Sequence, residues 1–285
     1  AMVATILTVV INTILDPIFI YGFGMGIRGA AVATILAQII SLCWLIKLFC
    51  NKGELLHFRR GIYRLKRVLV ENIIGIGLAP FFMNVASCMI VILINKGLKL
   101  YDGDLAIGAF GIVNRITFLF VMIVMGLNQG MQPIAGYNFG AQQYHRVNHV
   151  MKLTVIAATI VTSTGFLVGE LMPELAVSAF TTDQTLIDLS ARGLRITVMF
   201  FPIIGFQMVT SNFFQSIGMA KKAIILSLSR QVLILIPCLL ILPLFWGAAG
   251  IWFSMPISDI TASLIAGFML YNQFKQFKHK AAELN

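Results

Sequence analysis

Long apolar runs separated by short polar segments dominate the chain. Eight such runs can be read, over approximately residues 2–22, 29–50, 69–95, 104–131, 149–171, 193–216, 223–245 and 250–271. A helix that crosses the hydrocarbon core of a bilayer needs roughly 20 apolar residues. Helices also satisfy their own backbone groups in lipid, and the ten-residue alternation of a membrane β-barrel is absent from the sequence. The pattern therefore predicts an all-α integral membrane protein with eight transmembrane helices.

Composition supports this prediction. Hydrophobic residues make up 59% of the chain, charged residues only 11%, and the mean hydropathy is +0.91. That is more apolar surface than a soluble domain of this length can bury. The first run begins at Ala1 without a basic segment or cleavage site, so we interpret it as part of a longer protein and not as a signal peptide. The cysteines lie in or beside the runs without CxxC spacing and are interpreted as packing residues: Cys43, Cys50, Cys88 and Cys238.

The basic residues predict the orientation. One face carries Lys47, Lys52, Arg59, Arg60, Arg64, Lys66, Arg67, Arg146, Lys152, Lys221, Lys222, Arg230, Lys275, Lys278 and Lys280. The other carries only Arg28, Lys96, Lys99, Arg192 and Arg195. By the positive-inside rule the 51–68 loop and the C-terminus face the cytoplasm. The net charge of +10 is then explained by topology, so no nucleic-acid partner is predicted. The alternative for the 51–68 loop is a patch that binds lipid headgroups or nucleic acid.

An internal repeat appears at an offset of 221 residues. It aligns Gly26 with Gly247, Gly29 with Gly250, and Gln38 with Asp259. Six spans separate the two copies, an even number, so both have the same orientation in the membrane. This predicts two six-helix lobes related by an axis along the membrane normal.

The repeat also predicts the domain organisation. Residues 1–50 are the last two helices of an N-terminal lobe, residues 51–68 a basic cytoplasmic linker, and residues 69–285 a C-terminal six-helix lobe with a cytoplasmic tail. Four further helices are expected before Ala1.

Five motifs occur in an order and spacing that resemble the bacterial multidrug-efflux branch of the multidrug and toxic compound extrusion (MATE) family. They are NTILDP at 12–17, GAAVATILAQ at 29–38, GLNQGMQPIAGYNFG at 126–140, FFQSIG at 213–218 and MPISD at 255–259. The resemblance covers nearly the whole chain and implies that its eight spans are helices five to twelve of a twelve-helix transporter in a bacterial inner membrane.

Carboxylates at membrane depth are costly, which makes them functional candidates. Asn12 and Asp16 are four residues apart and share a helical face. Pro17 lacks an N–H group and frees a backbone carbonyl near Asp16, an arrangement that suits a monovalent cation or a proton relay. The alternative is a structural Asp that holds the proline kink. The resemblance implies that Asn12, Asp16 and Thr34 bind Na⁺ or a proton together with an Asp on the first helix, which lies outside this sequence; no other metal or cofactor is expected.

Other branches of the family place acids on the seventh and tenth helices, but the matching stretches here carry none. Asn84, Gln207 and Asn212 occupy those stretches and are candidates for hydrogen bonds to substrate, although packing between helices explains each equally well. Gln38 and Asp259 are expected to be structural polar residues. Because Gln is uncharged, a hydrogen-bonding role and not a charge is predicted for both.

The expected function is that of a secondary active antiporter, and not an enzyme. It would act as a monomer in contact with membrane lipids and export small amphipathic, often cationic compounds in exchange for Na⁺ or H⁺. A flippase for lipid-linked saccharides is one alternative, but it needs a strongly basic cavity, and only Arg115 is a candidate. An intramembrane enzyme is a second alternative, for which HExxH, GxSxG and paired membrane aspartates are all absent.

Overall fold

A computed structural model describes residues 2–50 and 67–283, and every regular element within them is helical. The α-helices are α1 Met2–Pro17, α2 Ile27–Cys50, α3 Arg67–Asp102, α4 Asp104–Gly140, α5 Tyr144–Leu171, α6 Pro173–Ser178, α7 Gln184–Val198, α8 Phe201–Ser216, α9 Ala220–Leu228, α10 Ile236–Trp246 and α11 Ala248–Glu283. Two π-helices continue α1 and α9, at Ile18–Gly22 and Ser229–Leu235 respectively. The prediction of an all-α membrane fold is confirmed. Most of the predicted linker 51–68 falls outside the described residues.

The number of membrane spans agrees with the eight apolar runs. Seven helical segments of the described chain are long and apolar enough to cross a bilayer, and α7 with α8 can form an eighth that is bent by 54°. The bend has a local cause. Pro202 lies in the first turn of α8, where its ring fixes φ and where the missing N–H group costs least, so α7 cannot continue into α8 as one straight helix.

The chain divides into two compact units, Ala1–Ile74 and Gly75–Asn285. In the first unit, α1 and α2 form a hairpin with small residues at their contact. Ala33 and Ala37 are fully buried, and the Ser41 hydroxyl donates a hydrogen bond to the Ala4 carbonyl at 3.0 Å. Small side chains let two membrane helices approach closely, and this close contact fixes which faces of α1 and α2 meet.

The loop of this hairpin depends on two glycines. Gly26 has φ +55°, a conformation that L side chains rarely adopt. Gly29 lies one turn later, and a Cβ atom there would approach the Phe19 carbonyl oxygen to 2.6 Å. The same arrangement occurs in the second unit between α10 and α11. Gly247 has φ +56°, and a Cβ atom at Gly250 would come within 2.5 Å of the Leu242 carbonyl oxygen.

The second unit packs around two apolar clusters. One contains Phe110 of α4, Leu194 of α7 and Trp252 of α11. The other contains Phe213 and Phe277 and lies towards the predicted cytoplasmic ends. The two clusters hold α4, α5, α7, α8 and α11 together as one bundle. That residues 1–50 and 69–285 belong to separate six-helix lobes stays a prediction.

Candidate functional site

The three residues predicted to bind a cation lie together in the first unit. The Asn12 side-chain amide donates to the Asp16 carboxylate, with Nδ2 3.2 Å from Oδ1. The same nitrogen donates to the Thr34 hydroxyl, 3.3 Å from Oγ1. One amide group on α1 therefore bridges a carboxylate on its own helix and a hydroxyl on α2.

Local structure explains why these groups meet. Asn12 and Asp16 are one turn apart on α1, so their side chains extend from the same face. Pro17 follows Asp16, and beyond it the backbone changes from α-helix to the π-helix Ile18–Gly22. Asp16 and Thr34 lie at similar distances from the hairpin loop, about 10 Å into their spans by the rise of a helix. The loop thus sets the register that pairs the two spans at this depth.

The site offers oxygen atoms of three chemical kinds. Asp16 provides a carboxylate, Thr34 a hydroxyl and Asn12 an amide carbonyl that would replace the N–H groups if the amide turned over. The Thr34 hydroxyl donates its own proton to the Ala30 carbonyl at 2.9 Å, so its oxygen faces the site as an acceptor, as it does towards Asn12. Oxygen donors of this kind suit a hard cation, and the carboxylate can also take a proton.

The candidate substrate residues do not form one cluster. Gln207 and Asn212 are five positions apart on α8, which places them about 140° apart around the helix. Gln207 is buried, whereas Asn84 on α3 is exposed. Asn212 accepts a hydrogen bond from the Gln132 amide at 3.2 Å and donates one to the Met208 carbonyl at 3.0 Å. Their role towards substrate stays a prediction.

Gln132 was not among the predicted residues. It lies in the 126–140 motif, and its contact with α8 joins positions 80 residues apart in the chain. The polar composition of that motif was the one available signal, and it does not indicate a partner.

The two structural polar residues differ in environment. Gln38 is exposed on α2, whereas Asp259 is buried on α11 and forms an ion pair with Arg230, whose Nη2 lies 2.7 Å from Oδ1. Arg230 was counted among the cytoplasmic basic residues, but it lies inside the span Lys221–Trp246. The neutral hydrogen-bonding role expected for Asp259 is therefore corrected, because its carboxylate faces a guanidinium. The hydroxyl of the neighbouring Ser258 donates to the Met255 carbonyl at 2.7 Å.

Within the described residues, no three His, Cys, Asp or Glu side chains are grouped closely enough to hold a metal ion. A site for a transition metal or a divalent ion of the usual acidic type is therefore not found in this part of the chain. Among the predicted cation-binding and substrate-binding residues, the ones whose polar groups converge are Asn12, Asp16 and Thr34.

Comparison with known proteins identifies the family. The MatE family model matches residues 75–241, more than half of the chain. Multidrug export protein MepA of Staphylococcus haemolyticus (strain JCSC1435) is 27% identical over 272 residues, which cover 95% of this chain and 60% of that protein. MepA of Staphylococcus aureus (strain NCTC 8325 / PS 47) is 27% identical over 275 residues, covering 95% and 59%. The chain thus spans about three fifths of the length of these curated relatives.

Solved structures agree with the sequence relatives. The MATE multidrug transporter DinF-BH superimposes with a TM-score of 0.80 at 35% identity, over 94% of this chain and 60% of that one. An outward-facing multidrug resistance MATE family transporter of the MOP superfamily gives a TM-score of 0.84 at 23% identity, over 97% and 62%. At 23% identity, the similarity to the outward-facing transporter is evidence for the fold alone. With the family model matched over most of its residues, the chain belongs to the MatE family of multi-pass membrane transporters.

Proposed function

We propose that the protein exports small amphipathic compounds, many of them cationic, and that Asp16 couples this export to the inward movement of Na⁺ or H⁺. The observation that carries the proposal is the bridge from Asn12 to Asp16 and Thr34. It supports a site in which a monovalent cation or a proton replaces the amide N–H groups as the partner of the carboxylate. No cofactor is needed for this exchange.

The physical argument rests on the position of Asp16. A carboxylate inside a span is expensive unless it is paired or reached by water, and it is usually retained for function. The partner that the structure gives Asp16 is a neutral amide, so its negative charge is left for a cation to balance. A group that binds a cation in one state and a proton in another can exchange them, which is what an antiporter requires.

The multidrug character is proposed from the relatives. Both MepA proteins are named multidrug export proteins, and DinF-BH is named a multidrug transporter. Exposed and partly buried aromatic and thioether side chains of α4, such as Phe118, Phe120 and Met122, would suit apolar cations. The flippase alternative has less support, because the basic cavity it needs is not indicated by the sequence.

The test is dye export from membrane vesicles that contain the full-length protein. A cationic amphipathic dye is loaded, and a Na⁺ gradient or a pH gradient is imposed separately. We expect one gradient to drive export and Asp16→Asn to reduce the gradient-driven rate at least about tenfold. Asp188→Asn is the matched control, because Asp188 is an exposed carboxylate of α7.

Two results would oppose the proposal. If neither gradient drives dye export by the unaltered protein, the coupling mechanism is wrong. If Asp16→Asn keeps the full gradient-driven rate, then coupling occurs elsewhere and the Asn12, Asp16 and Thr34 cluster has a structural role.

A further inference from the structure

The second unit contains a charged pair between two of its spans. Arg230 donates to Asp259 through both Nε and Nη2, each 2.7 Å from Oδ1. The Asp259 side chain is only 4% exposed and that of Arg230 is 31% exposed. Two short bonds from one guanidinium to one buried oxygen are typical of a charge-assisted contact that fixes both side chains.

Both charges lie well inside the membrane-spanning segments. Arg230 is the tenth residue of the span Lys221–Trp246, and Asp259 is the twelfth residue of the span Ala248–Phe277. At such a depth a single charge is strongly disfavoured, and removing one member of a buried pair leaves the other uncompensated. Each charge is therefore tolerated because the other is present.

An irregular backbone segment presents the arginine. Arg230 is the second residue of the π-helix Ser229–Leu235, where the wider turn changes the direction of the side chains relative to α9. The following α10 carries Pro237 in its first turn, which cannot donate to a carbonyl of the preceding turn. Gln231, the next residue, places its side-chain oxygen 3.4 Å from the Ser87 hydroxyl of α3, which also donates to the Met83 carbonyl at 3.0 Å. The π-helix is thus held by side chains on two sides.

Comparison of the two copies of the repeat shows that both charges are present in the second copy and that neither is present in the first. At the offset of 221 residues, Arg230 corresponds to Val9 and Asp259 to Gln38. Both positions are neutral in the first unit and both are charged in the second. The carboxylate of the first unit, Asp16, corresponds to Pro237 and has a neutral amide as its partner. Within the described residues, the carboxylate of the first unit is therefore bonded to an amide, whereas that of the second unit is bonded to an arginine.

We infer that Arg230 is a tethered cation that fills a latent cation-binding site at Asp259. The guanidinium occupies the place that a free monovalent cation would take beside the carboxylate. Removing the arginine side chain exposes this site, which then accepts a small guanidinium compound from solution. The inference concerns the second unit and does not depend on the coupling role proposed for Asp16.

The experiment asks whether a small guanidinium compound can replace the missing arginine side chain. It is measured by thermal melting of the purified full-length protein. Arg230→Ala should lower the melting temperature by about 10 °C, since it leaves Asp259 buried and unpaired. Methylguanidinium at millimolar concentration should restore at least half of that loss, whereas urea at the same concentration should restore none. In Arg230→Ala/Asp259→Asn, methylguanidinium should have no effect, because the carboxylate that binds it is gone.

Two further variants keep the inference testable if Arg230→Ala does not fold. Arg230→Lys retains a positive charge and should melt well above Arg230→Gln. The double variant Arg230→Gln/Asp259→Asn should lose much less than the sum of its two single variants. Equal melting of the Lys and Gln variants, additive losses in the double variant, or rescue by methylguanidinium without Asp259 would each overturn the inference.

Discussion

Gly29 and Gly250 lie 221 residues apart, and each brings a neighbouring helix so close that a methyl group would collide with its backbone. The obstructing atom is the Phe19 carbonyl oxygen at 2.6 Å in one hairpin and the Leu242 carbonyl oxygen at 2.5 Å in the other. Gly29 follows Gly26 by three positions and Gly250 follows Gly247 by three positions, and both preceding glycines have a positive φ. The repeat seen in the sequence is therefore a repeated way of closing a membrane hairpin.

Alanine at either tight glycine should destabilise the protein. Backbone atoms cannot move aside as a flexible side chain can, so Gly29→Ala and Gly250→Ala should each lower the free energy of unfolding by about 1–3 kcal/mol. The control is Gly267→Ala on α11, where the nearest atom, in the Phe206 ring, lies at 3.9 Å and the substitution should be neutral or favourable. Melting of the purified variants measures the difference. Equal effects at Gly250 and Gly267 would contradict the packing argument.

Removing either neutral member of the Asn12, Asp16 and Thr34 cluster should weaken the response to the coupling ion. Asn12→Ala deletes the bridging amide, and Thr34→Val deletes the hydroxyl oxygen while keeping the shape of the side chain. Each variant should raise the half-maximal ion concentration for dye export about fivefold to tenfold. Thr13→Val is the control, because among the described residues the Thr13 hydroxyl bonds to the Val9 carbonyl of its own helix and to no other group. The measurement is export rate against ion concentration; unchanged curves for both site variants would count against the site.

The sequence predicted the spans well because hydropathy and bilayer thickness leave little choice. It predicted the meeting of Asn12 with Asp16 because a four-residue spacing is a property of one helix. The family resemblance assigned Asn12 and Thr34 to one cation site, and in the structure the two side chains are hydrogen-bonded.

Features that depend on packing between helices could not be predicted from the sequence, because hydropathy and spacing within one helix do not specify them. A π-helix adds one residue to a turn without altering average hydropathy, so neither Ile18–Gly22 nor Ser229–Leu235 was predicted. Arg230 lies near enough to Lys221 and Lys222 to resemble part of a basic cytoplasmic end. Only the partner across the helix interface, Asp259, shows why a charge is tolerated within the span.

The N-terminus of α7 should depend on a single side chain. Asp183 precedes the helix, and its Oδ1 accepts hydrogen bonds from the backbone nitrogens of Thr185 at 2.9 Å and Leu186 at 3.4 Å. Asp183→Ala should therefore reduce stability by about 1 kcal/mol, while Asp183→Asn should be nearly neutral because an amide oxygen can also cap. Asp188→Ala, which removes only a side-chain bond from Gln184, should cost less. Melting of the three variants is the measurement, and an Asn variant as unstable as the Ala variant would exclude capping.

Asn128 on α4 should be replaceable without loss of stability. It is 2% exposed, and neither its Oδ1 nor its Nδ2 atom has a hydrogen-bond partner among the described residues. A buried amide without partners is unfavourable, whereas leucine has a similar volume and has no polar atom to satisfy.

Asn128→Leu should therefore raise the melting temperature of the purified protein or leave it unchanged. The matched control is Asn212→Leu, which breaks the bonds to Gln132 and Met208 and should lower stability by about 1–2 kcal/mol. Dye export by Asn128→Leu then separates two explanations for a polar group at this position. A stable variant that exports at the normal rate means that the amide is dispensable, while a stable variant that no longer exports means that the amide finds its partner in another conformation of the transport cycle. A melting temperature reduced as much as that of Asn212→Leu would contradict the prediction, because such a loss requires bonds in the folded state described here.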